Sequence, residues 1–178
     1  MSLADELERI ANGAAGYGEV TGVLAAETVD GRRHYLVALG EEESQAWLVV
    51  DDAGAPSDDR EEVREVASLV VMCELTAELA GGGDLERLRT ELAGLRLTED
   101  PPGIESAERA ALALEHVVGA PPRVASPAYL DTVGAATRDL ERTLGEHGSP
   151  FATAISSASP AVESFVLDVE TRYALPLR

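Results

Sequence analysis

The run from Val23 to Asp51 constrains this chain more than any other part of it. VLAAET, RHYLVALG and AWLVVD are three short segments rich in β-branched and aromatic residues, with turn residues between them. Their alternation is that of strands, and each is apolar on both sides of it. A sheet with two apolar faces must be covered on both. Asp30-Gly31 reads as a two-residue hairpin turn and Glu41–Ser44 as a four-residue loop. The simplest arrangement is a three-stranded antiparallel meander.

That reading fixes a register. A two-residue turn pairs Val29 with Arg32, Glu27 with His34 and Ala25 with Leu36. The four-residue loop pairs Gly40 with Gln45, Ala38 with Trp47 and His34 with Asp51. Glu27, His34 and Asp51 then fall in one row across the sheet end, as the candidate metal or acid/base site. A histidine between two carboxylates can serve as a general base or hold a divalent cation. The plainer account is a cross-strand charge row in which histidine neutralises its neighbours. Trp47, Leu48 and Val49 are the candidate interface residues, because the apolar middle of the third strand demands cover that a second subunit could supply.

The register also divides the acids. Glu41, Glu42 and Glu43 lie at one end of the strands, and Asp30, Asp51 and Asp52 at the other. The two groups stand about 20 Å apart at roughly 3.4 Å per strand residue. The glutamates read as a solvated turn. Asp58, Asp59, Glu61 and Glu62 read as first-turn acids that complement a helix N-terminus. Asp51-Asp52-Ala53-Gly54 leading to Asp58 lacks the oxygen ligands that a calcium loop needs at its third and fifth positions.

Helical spacing surrounds the strands. Ser2 caps a short helix carrying Leu3, Leu7 and Ile10. A long helix is expected from about Asp59 to Ala80, apolar almost all round between Val66 and Cys73 and therefore buried there. Asp84 opens a helix with Leu88, Leu92 and Leu95 on one face, and Ile104 opens another that ends near Gly119. Ser126-Pro127, Ser149-Pro150 and Ser159-Pro160 each place a capping serine before a proline suited to the first helical turn. The last helix is expected to carry Val162, Phe165, Val169 and Tyr173 on one stripe. The class is α+β: an N-terminal helix, a meander, then about five helices packing on the sheet. The organisation expected is a single domain over 1–178, with helix and sheet in 1–56 and the helical part in 57–178.

Composition narrows the function. The formal charge of −19 opposes binding to nucleic acid or anionic membranes. Every basic side chain is arginine and Asn12 is the only asparagine, the residue bias of a GC-rich coding sequence. A lone cysteine, Cys73, in the most apolar helix reads as a buried structural thiol. No signal-peptide pattern opens the chain and no stretch is long enough to span a bilayer, so a soluble, cytoplasmic protein is expected. Gly16-Tyr17-Gly18 precedes a strand, the wrong side for a phosphate loop. His116 has no second helical histidine at ligand spacing, and His147 reads as a helix-end residue whose partial positive charge suits the dipole.

In element order alone, helix, three strands and long helix, the N-terminal half resembles secretion chaperones that dimerise. That fold returns to strands where this chain reads as helices. The expectation is a non-enzymatic interaction or accessory module, chaperone- or adaptor-like, with no cofactor and with a homodimer or another protein as partner. The alternative is a metal-dependent or acid/base enzyme, or a small-molecule binder, centred on Glu27, His34 and Asp51.

Overall fold

The computed structural model describes residues 2–81, 84–99, 102–119, 122–144 and 159–178. Its elements are α1 (Leu3–Ala14), β1 (Val20–Glu27), β2 (Arg33–Leu39), a 3-10 turn (Glu42–Ser44), β3 (Ala46–Asp51), α2 (Arg60–Gly81), α3 (Asp84–Thr98), α4 (Ile104–Gly119), β4 (Val124–Ala125), α5 (Pro127–Leu144) and α6 (Ser159–Thr171). The α+β class holds, with the sheet in the order β3-β2-β1-β4. The Ser149-Pro150 cap lies outside the described residues.

The sheet has four strands rather than three. Val124-Ala125 pairs parallel to Ala25-Ala26 of β1. It is too short to show alternation, hemmed in by Pro122 before it and Pro127 after it. Proline has no N–H to lend to a ladder, so the strand is confined within the four residues between and takes up two of them.

The first hairpin corrects the expected register. Thr28 N donates to Arg32 O at 3.0 Å and Gly31 N to Thr28 O at 2.9 Å, so the loop is Val29-Asp30-Gly31. Gly31 has φ +78°, the left-handed residue that closes a three-residue loop. The Asp30 carboxylate accepts from the Thr28 hydroxyl at 2.6 Å and from the Arg32 side chain. These bonds hold its pKa down to about 2. The extra loop residue shifts β1 by one place: Glu27 pairs with Arg33 and Ala26 with His34. The β2–β3 register is the expected one, with His34 opposite Asp51 and Ala38 opposite Trp47.

The chain sorts into two compact units. One comprises 1–71, 123–127 and 160–178; the other comprises 72–122 and 128–159. In the first, α1 covers one sheet face. Its Ile10 and Ala14 pack with Ala25, Tyr35, Val37, Leu39, Leu48 and Val50. Ser2 and Asp5 form a reciprocal capping box at its start, satisfying N–H groups that would otherwise be orphaned. The other face carries His34, Leu36, Trp47 and Val49. Phe165 of α6 meets the Trp47 ring edge-on, centroids 5.3 Å apart. Glu62 of α2 meets His34. Arg64 of α2 pairs with Glu170 of α6, joining the two covering helices. Both apolar faces are therefore covered by the chain's own elements.

The free edge of β3 is closed as well. Trp47 N donates to Arg172 O and Ala174 N to Trp47 O. One step along, the Tyr173 hydroxyl accepts from Val49 N at 2.9 Å and donates to Ser57 O at 2.8 Å, while Ser57 N donates to Val49 O. Asp51 N then donates to Ala55 O. Three successive outward positions are thus paired, which removes a template for strand addition.

In the second unit α3, α4 and α5 enclose a core of Leu88, Leu92, Ile104, Ala107, Val133 and Leu140. Cys73 is buried, as its apolar neighbourhood requires.

Candidate functional sites

The sheet end does not assemble the expected row. His34 and Asp51 are paired across β2 and β3, but Glu27 sits beside Ala26, whose side chain is on their face, and so points to the opposite one. There Glu27 lies 3.8 Å from Arg33. Asp51 turns to its own loop, accepting from Ala55 N at 2.8 Å. Among the described residues no group of three or more histidine, cysteine or acidic side chains is placed to hold a metal ion.

His34 has a different partner. Its Nε2 lies 3.0 Å from Glu62 Oε1, and the residue is 1% exposed. An ionised carboxylate only accepts, so the ring donates from Nε2. Nδ1 is buried with no hydrogen-bond partner. Glu62 also lies 3.5 Å from Arg32, and Glu65, one turn on, accepts from Val29 N at 3.0 Å. Two glutamates of α2 thus fasten the β1–β2 hairpin. A ring so enclosed is out of reach of a reactant, and the arrangement is a structural clasp. The acids at the start of α2 look like dipole complements in the sequence, and nothing in their spacing reveals the clasp.

On the other face, the Tyr35 hydroxyl lies 3.2 Å from Glu6 and 3.4 Å from Asp52. Arg33 approaches Glu6 at 3.6 Å, and Arg9 donates to Asp52 O at 2.8 Å. Burial first, then the Glu6 carboxylate, pushes the Tyr35 phenol up from its ordinary value. The cluster balances its own charge around a buried phenol.

Trp47, Leu48 and Val49 correct the expected interface. They are 7%, 0% and 0% exposed and belong to the chain's own core. The Trp47 indole donates to Asp168 at 3.1 Å. The glutamate turn borders an open depression of about 920 Å³ lined by Thr21, Gly40, Glu41, Glu43, Ser44 and Gln45. No large apolar side chain is among these lining residues.

A feature the sequence reading passed over lies between α3 and α4. Arg89 pairs with Glu115 at 2.9 Å, and Arg96 pairs with Glu108. The crossed numbering makes the helices antiparallel. Between the ion pairs lies a groove of about 260 Å³ whose apolar lining is Leu92, Ala93, Ala111 and Leu112. Leu112 is 65% exposed on its rim, and Leu97, one turn beyond Ala93, is 88% exposed. The heptad spacings 89/96 and 108/115 are the signal that could have located it.

Compared with models of known families, with curated proteins and with solved structures, the chain matches none. Among the described residues no helix is long and apolar enough to cross a membrane.

Proposed function

We propose that this protein is a non-enzymatic interaction module that docks protein through the α3–α4 face. One observation carries the reading: Leu112 stands exposed beside an apolar groove whose two ends are framed by ion pairs. A concave apolar patch with a polar rim is the form of a docking site for one bulky side chain of a partner.

The test is a photo-reactive amino acid placed at position 112 in cells, with the same group at Glu163 of α6, an exposed position whose side chain is 73% accessible, as control. The expected result is a discrete crosslinked protein from position 112 and none from 163. Equal crosslinking from both, or none from 112, overturns the reading.

A further inference from the structure

Resting on that docking role, we infer that the occupant of the α3–α4 groove is a second copy of this chain, bound with its two-fold axis parallel to the helices. The argument is one of self-complementarity. The ion-paired side chains of α3 are basic, Arg89 and Arg96, and those of α4 are acidic, Glu108 and Glu115. Both pairs are one heptad apart, so each presents its charges with the same spacing, about 10.5 Å at 1.5 Å per residue.

A two-fold axis running along the helices lays the α3 of one copy over the α4 of the other at the same height. Arg89 of each protomer then faces Glu115 of its mate, and Arg96 faces Glu108. Each charge already engaged within one chain gains a second opposite neighbour. A two-fold axis across the helices instead sets α3 on α3, Arg89 against Arg96, and Glu108 against Glu115. Like charges directly opposed are repelled, so the charges favour the first arrangement over the second.

The apolar residues fit the same operation. Leu112 lies between the two glutamates at the height of Leu92 and Ala93, as the antiparallel ion pairs require. The axis that pairs the charges brings the Leu112 of one copy onto the other's Ala93, a small residue in the groove wall. One surface carries both the knob and the hole, which is what a closed, isologous dimer needs. The face is only about 22 Å long, from the 15 residues of α3. A contact of that size belongs with the weaker, reversible associations.

The experiment uses the full chain and a charge-inverted variant carrying Arg89→Glu, Arg96→Glu, Glu108→Arg and Glu115→Arg. Inversion keeps each ion pair within the chain, with its sign reversed. Each protein should dimerise alone, and an equal mixture should give two homodimers and no mixed species by native mass spectrometry. Mixed dimers in statistical proportion overturn the proposal. So do monomers throughout, and a crosslink from position 112 to a different protein would then leave the interaction role standing without it. Should the inverted chain fail to fold, Leu112→Ser serves in its place, since that side chain is largely in solvent. About tenfold weaker self-association by sedimentation equilibrium is expected of it. Unchanged association overturns the proposal.

Discussion

The two units of this chain differ in where they leave apolar surface open. In the sheet unit the edge of β3 and the apolar centre of the sheet are closed internally, although Tyr17, Leu24, Val29 and Leu167 stay exposed around them. The free positions of β3 find Arg172, Ala174, Tyr173, Ser57 and Ala55, and the apolar faces find α1, α2 and α6. In the helical unit α3 and α4 bury Leu88, Leu92 and Ala111 but leave Leu97 and Leu112 in solvent beside a groove. What sets the helical unit apart is that its exposed Leu112 adjoins an apolar groove framed by ion pairs. The difference teaches that an apolar residue in the sequence marks an interface only when the chain itself has failed to cover it.

The largest effect should come from breaking the closed unit. Trp47→Ala removes a ring that meets Phe165 and donates to Asp168. A cost of about 3–5 kcal/mol is expected in urea denaturation, as for other buried aromatic truncations. A cost below about 1 kcal/mol would mean that α6 does not seal this face, and the comparison between the units would lose its first term.

Trp47 also shows what the sequence made legible. The β2–β3 pairing could be read because a four-residue loop sets Gly40 against Gln45 and so fixes every pair beyond it. Its cover could not be assigned, because sequence alternation says a face is buried without saying by what. The Asp30-Gly31 hairpin was misread for a local reason. The same dipeptide serves a two-residue turn or a three-residue loop with glycine in the left-handed region, and here side-chain bonds from Thr28 and Arg32 to Asp30 select the longer one. That single residue moved Glu27 to the far face and dissolved the row with His34 and Asp51. The His34–Glu62 clasp spans 28 residues of sequence, a separation at which no periodicity operates.

A smaller effect tests whether the strand edge matters. Tyr173→Phe keeps the ring but leaves Val49 N and Ser57 O without their hydroxyl partner. A loss of about 1–3 kcal/mol is expected, the cost of leaving buried polar groups unpaired. The same hydroxyl predicts a pH dependence. Burial, opposed by the Val49 backbone bond, pushes the Tyr173 phenol from 10.0 up to about 12. The folded state then holds its proton where the unfolded chain has released it, so stability falls as pH rises. The contribution is complete below pH 10 and is lost between pH 10 and about 12. Denaturation curves across that range should show a shallower alkaline decline in Tyr173→Phe. An identical decline would place the alkaline sensitivity elsewhere, with Tyr35 the next phenol to examine.

Gly31→Ala probes the corrected hairpin. An added Cβ meets nothing within 4 Å, so any cost comes from φ +78° alone. About 1 kcal/mol is expected from the left-handed backbone. A neutral result would indicate a loop that rearranges freely, and would reopen the register that separates Glu27 from His34.

The smallest effect is the one that most sharpens the contrast. Leu112→Ser removes a large apolar side chain, yet this one is 65% exposed and leaves no cavity behind. At low protein concentration its stability should match the parent within about 0.5 kcal/mol, as for most surface substitutions. The two proteins should diverge only as concentration rises. Self-association that favours the folded state raises the melting temperature by mass action, and the parent should show that rise. Leu112→Ser should melt at one temperature across the same range. If instead it melts lower at every concentration, Leu112 belongs to the core of its unit, and the helical face is as closed as the sheet.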